Sequence, residues 1–390
     1  MPSLAPVINR VLSVNDMMDF LLAVGPDRLR IGGYSTFYRL PPSTRLFRKT
    51  IQERPPFMQY TEIQWRKGQP YSERFDDIYY SDGPDVAETG EGEFRHVFLA
   101  GNRLPQRWSQ GGDFVIAELG FGSGLNCMLT IREWLQHLES SGEEKTLHYI
   151  AIEKYPLSPQ AITELLRIPS LQAICRELTD AYPPAVEAAH RRSLFGGRVI
   201  MHYRFMDVAT ALDTEGLNVD SWYLDGFAPG KNPDMWSQAL FVKMAANSRD
   251  GATCSTYSAA GLVRRNLEAA GFRVSKQPGY GRKREMITAE LTERHTPELY
   301  YRDRPWYALP VLDKAAGADN RVCILGGGIA GLSAAYALVQ RGWQVEIIDR
   351  QGALCHETSS NPSVIVYPRL SAGNARDNEF YISAYCHALY

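Results

Sequence analysis

The run Phe114–Asn126, FVIAELGFGSGLN, constrains the fold more than any other part of the chain. Apolar residues 114–117 lead into Glu118-Leu119-Gly120, and Gly120, Gly122 and Gly124 stand in G-x-G-x-G spacing. Leu125, Met128, Leu129, Trp134, Leu135 and Leu138 then recur at helical spacing, so the stretch reads as strand, tight turn and helix. Glycines in the turn permit positive φ and a close approach of ligand to backbone. The helix start offers unpaired N–H groups, which suits a nucleotide or an adenosyl group.

The rest of the chain narrows the class. At 390 residues there is room for more than one domain, and 44% hydrophobic with 22% charged residues is globular composition. A net charge of −2 excludes a general polyanion-binding character, so any nucleic-acid site is a local patch. Cys127, Cys175, Cys254, Cys323, Cys355 and Cys386 are scattered with no C-x-x-C pair, which argues for a reducing, cytoplasmic setting and against structural zinc or another metal. No secretory signal is expected at the start. The apolar run 322–339 is of membrane-spanning length, but its glycines fit a strand–turn–helix better, so no membrane association is expected.

Residues 1–58 read as an N-terminal extension. Arg28 to Lys67 carries nine Lys/Arg against Glu53 and Glu62, interleaved with Tyr34, Phe37, Tyr38, Phe47, Phe57, Tyr60 and Trp65. Such a stretch suits RNA, through phosphate contact and base stacking, or is a solvated extension whose aromatics pack on the domain. Phe75, Ile78 and Tyr80 alternate, SDGPD supplies a turn, and Phe94 to Leu99 reads as a second short strand, giving a β-rich cap. Strands expected at 114–119, 147–152, 198–203, 220–225, 252–257, 272–275 and within 279–289 alternate with helices at 125–138, 158–167, 170–190, 207–212, 234–246 and 259–270. That alternation predicts an α/β domain over 59–290, of seven strands in a parallel sheet. Prolines and charges at 291–320 read as a linker, and a second α/β segment starts at Arg321.

Candidate site residues fall at strand carboxyl ends, where open α/β sheets bind ligands. Glu153 ends the second strand and is placed to accept two ribose hydroxyls; Asp207 ends the third and suits an adenine amine. Capping of the following helices is the alternative for both, and for Asp225 at the end of the fourth strand. With Glu118, Gly120, Gly122, Gly124 and Asn126 these form the first candidate cofactor set. A dinucleotide site calls for a third glycine, G-x-G-x-x-G, where this chain has Leu125 and Asn126, so S-adenosylmethionine fits better than NAD. An amine acceptor must be neutral to attack, and Asp225 is the candidate to hold it and take its proton. The second glycine turn, Gly326, Gly328 and Gly331, has the complete spacing after a strand, and Asp349 ends the next strand. That is a dinucleotide fingerprint for FAD or NAD.

The text DGFAPGKNPDMW from Asp225 to Trp236, with GFGSGLN before it and FDD-x-YYS…VFLAGNRLP at 75–105, resembles the MnmC family of bifunctional bacterial tRNA-modifying enzymes. The resemblance covers roughly 60–290 and implies a class I, Rossmann-like methyltransferase with Asp225 at the catalytic place. It implies conversion of 5-aminomethyl-2-thiouridine to 5-methylaminomethyl-2-thiouridine at the tRNA wobble position. It also selects FAD for the second turn, in a domain that removes the carboxymethyl group from 5-carboxymethylaminomethyl-2-thiouridine. The seventy residues at 321–390 are read as a truncated start of that domain, with the oxidase activity expected to be absent. Rival readings keep the fold but methylate a protein or small-molecule amine, make the chain a non-catalytic nucleotide-binding module, or make it a flavin oxidoreductase.

Overall fold

The computed structural model describes the backbone of 29–32 and residues 58–66, 69–78, 86–166, 168–214, 216–281, 283–293, 320–351, 354–361, 367 and 375–388. Most of the basic extension lies outside them. The chain divides into two units, one built mainly on 55–313 and one on 314–374 with 1–54.

Strand β1 (Leu29–Gly32) belongs to the second unit. The first unit opens with a small antiparallel sheet of β2 (Gln64–Arg66), β3 (Gln69–Ser72) and β4 (Asp77–Ile78). The expected strand at 94–99 is instead a π-helix, Phe94–Ala100, following an α-helix, Val86–Glu93. Phe94, Val97 and Phe98 bury one face at i, i+3 and i+4, which is helical spacing. The cap is therefore mixed rather than β-rich throughout.

The main sheet has eight strands: β5 (Phe114–Leu119), β6 (Leu147–Ile152), β7 (Ala189–Leu194), β8 (Val199–Arg204), β9 (Val219–Leu224), β10 (Ser248–Thr256), β11 (Phe272–Pro278) and β12 (Glu285–Leu291). Their order is β11-β12-β10-β9-β5-β6-β8-β7. The five central strands are parallel; at one edge β12 runs antiparallel to β10 and β11 antiparallel to β12, and at the other β7 runs antiparallel to β8. This is a Rossmann-like α/β sheet. Strand β7 corrects the expected helix 170–190. The helix stops at Asp180, ahead of Pro183-Pro184, and the inward positions of β7 are His190, Arg192 and Leu194. Two of those three are polar, so hydrophobic alternation did not mark the strand.

Helices cover both faces. Phe114 and Ile116 of β5 pack into a cluster with Met128, Ile131 and Trp134, whereas Val115, Ala117 and Leu119 pack with Leu240, Phe241 and Met244 on the other side. A central parallel strand buried on both faces is continuously apolar, which is what made 114–119 legible. Among the described residues no helix is long and apolar enough to cross a membrane, and no His/Cys/Asp/Glu group has a metal-binding arrangement. All six cysteines are free thiols.

In the second unit β13 (Arg321–Leu325), a helix (Ile329–Val339) and β14 (Gln344–Ile348) form a parallel βαβ element, and β1 adds a third parallel strand beside β14. One sheet face packs on the helix through Leu332, Ala335, Val345 and Ile347.

Candidate active site

Strand order reverses between β5 and β9, and their carboxyl ends diverge into the crevice where such sheets bind ligands. Gly120, Gly122 and Gly124 all take left-handed backbone, with φ of +92°, +51° and +77°. At Gly120 a side chain would also be crowded: its Cβ would stand 3.1 Å from the Asp225 carbonyl oxygen. The glycine turn thus presses against the β9 end, and a cleft of about 880 Å³ opens above it. Gly120, Gly122, Asn126, Glu153, Asp207 and Asp225 all line this cleft, which brings four separate strand ends together.

Glu153 accepts from the Gly122 N–H at 3.2 Å and the Tyr155 N–H at 2.8 Å. It does not cap the next helix, because Ser158 does, accepting from Ala161 N–H at 3.1 Å. Burial pushes the Glu153 carboxyl up, and the surrounding backbone N–H groups hold it back. For Asp207 the capping alternative holds: Oδ1 accepts from Ala209 N–H at 2.9 Å, and Oδ2 pairs with Lys154 at 3.0 Å. Burial alone would raise Asp207, but Lys154 and the helix N–H groups leave it below the usual range. Glu118 is 1% exposed and lies behind the cleft wall, not on it, accepting from Asn126 at 2.9 Å and from the Tyr149 hydroxyl at 2.8 Å. From there it supports Asn126.

Asp225 is not a helix cap either. The helix Gln238–Ala246 is capped by Ser237, and Asp225 Oδ2 accepts from Asn126 Nδ2 at 2.7 Å. Burial raises the Asp225 carboxyl to about 7, with Glu93 adding to the rise and Asn126 and Lys283 opposing it. Part of the remaining wall is aromatic. Phe227, two residues after Asp225, stacks on Phe75 with centroids 4.5 Å apart, and the Arg74 guanidinium lies 4.2 Å over the Tyr155 ring. The Tyr257 hydroxyl donates to the Gly226 carbonyl at 2.7 Å. Sequence reading missed Phe75, Tyr257, Glu93 and Lys283, which reach the cleft from distant segments.

In the second unit Gly326 has φ +108°, and a Cβ on Gly331 would stand 1.9 Å from the Gly326 carbonyl oxygen, so the fingerprint glycines are required by turn and helix–strand contact. Asp349 accepts from the Gly327 N–H at 2.6 Å and the Gln351 N–H at 2.7 Å, which hold its carboxyl below the usual range. Gly328 precedes the helix, whose first N–H, at Ile329, is taken by Ser359 Oγ at 3.1 Å.

Comparison with known proteins gives these sites a context. A family model described as S-adenosyl-L-methionine-dependent methyltransferase matches residues 169–292, and one described as FAD dependent oxidoreductase matches 321–390. The tRNA 5-methylaminomethyl-2-thiouridine biosynthesis bifunctional protein MnmC of Marinomonas sp. (strain MWYL1) is 39% identical over 326 residues, covering 82% of this chain and 47% of that protein. The chain belongs to the MnmC family. The MnmC protein of Magnetococcus marinus is 41% identical over 332 residues, 84% of this chain and 48% of its own. The chain therefore spans about half the length of the curated MnmC relatives it matches. A crystal structure titled MNMC2 from Aquifex aeolicus aligns with TM-score 0.47 and 19% identity, over 73% of this chain and 86% of that one.

Proposed function

We propose that the 59–290 domain transfers the methyl group of S-adenosylmethionine to the primary amine of 5-aminomethyl-2-thiouridine at the wobble position of tRNA, in the cytoplasm. The observation that carries this reading is Asp225: a carboxylate at the sheet's switch point, held by Asn126, with an acidity near neutrality, in the same cleft as the glycine turn. The names of the MnmC relatives support the acceptor, and the matched methyltransferase model supports the donor.

The residues present fit S-adenosylmethionine. The crowded, left-handed turn at Gly120–Gly124 leaves backbone bare at the cleft floor, and Glu153 offers carboxylate oxygens at the next strand end. When bound, the cofactor supplies an electrophilic methyl on sulfonium. The protein's own share is placement and proton control. Asp225 receives the acceptor as an ammonium, takes one proton from it and leaves a nitrogen lone pair for attack. Asn126 fixes the carboxylate by donating to Oδ2, and Glu118 fixes Asn126. Phe75, Phe227 and Tyr155 give the cleft an apolar wall that excludes water and presents ring faces to a base.

In the second unit, which we assign to 321–390 after a linker, Gly326, Gly328 and Gly331 would bring the helix start to a flavin nucleotide's pyrophosphate, with Asp349 toward the ribose. The Ser359 hydroxyl must then leave the Ile329 N–H. Bulk tRNA from a strain lacking the modification tests the main reading. Labelled methyl should appear in that tRNA and not in protein or small amines, and Asp225→Ala should abolish transfer while keeping cofactor binding. Equal labelling of simple amines would refute the tRNA acceptor.

A further inference from the structure

Two charged side chains that the proposed chemistry leaves unused meet beside Asp225. Glu93 ends the helix Val86–Glu93, and its carboxylate lies 3.7 Å from the Lys283 ammonium. Lys283 sits between β11 and β12, 3.5 Å from the centroid of the Tyr257 ring. Tyr257 in turn donates to the carbonyl of Gly226, the neighbour of Asp225, and all four side chains line the cleft. The segment carrying Glu93 is closely seated: a Cβ on Gly92 would stand 1.9 Å from the Tyr280 hydroxyl, and one on Gly90 2.8 Å from Leu125. Glycines at 90 and 92 thus let the helix end approach the cleft and bring Glu93 with it.

As a stabilising ion pair this arrangement is poor. The separation is long, and the Lys283 side chain is 46% exposed, so the pair contributes little to folding. As neighbours of an ionising group in a partly desolvated cleft, the same charges act strongly. Resting on the acceptor reading above, we propose that Glu93 and Lys283 are an opposed pair of positioning residues for Asp225, Glu93 drawing a cationic amine to the acceptor end of the cleft and Lys283 limiting the negative charge gathered there. The incoming ammonium gives one proton to Asp225 and becomes a neutral amine; Asp225 later returns that proton to solvent. Burial is the largest influence on the Asp225 carboxyl, and among its charged neighbours Glu93 raises it and Lys283 lowers it. The other groups facing this region are Asn126, Glu118 behind it, Glu153 across the turn, and Tyr257 with Asp77 beyond it. Of these, Tyr257 is itself in contact with the pair, through the Lys283 ammonium over its ring.

The test reads Asp225 directly, without any acceptor. The whole 390-residue chain is labelled at aspartate carboxyl carbons, the Asp225 signal is assigned by its loss in Asp225→Asn, and its titration is followed by NMR. Glu93→Gln should move the Asp225 midpoint down and Lys283→Met should move it up by less, with the double variant between the two single ones. S-adenosylmethionine calorimetry on each variant confirms an intact site. The pH profile of methyl transfer to undermodified tRNA should show the same opposed displacements of its acidic limb. Midpoints that stay in place, or move in the same direction in both variants, overturn the proposal. Opposed NMR shifts with no transfer to any tRNA would leave the charge pair standing and reject the tRNA acceptor instead.

Discussion

Removing the Asn126 amide isolates what holds Asp225 in readiness. One Nδ2 group serves both carboxyls, donating to Glu118 at 2.9 Å and to Asp225 at 2.7 Å. In Asn126→Ala the buried Glu118 and the half-buried Asp225 both lose that donor, and a buried group left unpaired costs about 1–3 kcal/mol. The variant should therefore unfold at lower urea with an unchanged m-value. The acidity change has a definite sign. Asn126 holds Asp225 down from where burial would place it, so its loss raises the carboxyl above about 7. A rise of about one unit takes the ionised fraction at pH 7 from about one half to about one tenth. Methyl transfer at pH 7 should then drop roughly fivefold for that one-unit rise and recover as pH approaches 9. The assay is single-turnover transfer across pH with cofactor saturating. An acidic limb that moves down, or a loss equally deep at pH 7 and pH 9, would refute the role given to Asn126.

Three further outcomes follow from the same site. Asp225→Asn should abolish transfer yet melt higher than wild type at pH 8: the folded carboxyl titrates near 7 and the unfolded one near 3.8, so ionisation increasingly costs stability as pH rises across that window. The advantage should shrink at pH 4, and a variant that melts lower at pH 8 would contradict the burial argument. Gly120→Ala, at φ +92° and 3.1 Å from the Asp225 carbonyl, should lose about 1–2 kcal/mol in urea unfolding and weaken cofactor binding in calorimetry. Glu153→Ala removes the acceptor for the Gly122 and Tyr155 N–H groups and should weaken S-adenosylmethionine binding at least about tenfold by calorimetry.

The central sheet was legible because its strands are buried on both faces and so are written as short apolar runs ending in glycine or acid. The glycine turn, Glu153 and Asp207 stand at strand ends, where the chain order alone puts them near one another. β7 escaped because its inward positions include His190 and Arg192, and Arg192 is satisfied by the Ala181 carbonyl at 3.0 Å, a partner no pattern shows. The π-helix at 94–100 reads as a strand in sequence because Phe94, Val97, Phe98 and Leu99 form a dense apolar run compatible with either period. Glu93, Tyr257 and Lys283 were not legible at all. They come from a helix end, a strand end and a hairpin far apart in sequence, and only the folded sheet brings them to Asp225.

Nucleoside analysis of tRNA after incubation with the chain and labelled S-adenosylmethionine tests the central claim most directly. The tRNA comes from cells lacking the modification, and its wobble nucleoside is resolved by mass. The account predicts labelled 5-methylaminomethyl-2-thiouridine with the native chain and none with Asp225→Ala, both proteins binding the cofactor. Cofactor binding without any methylated wobble nucleoside, or equal product from Asp225→Ala, would contradict it.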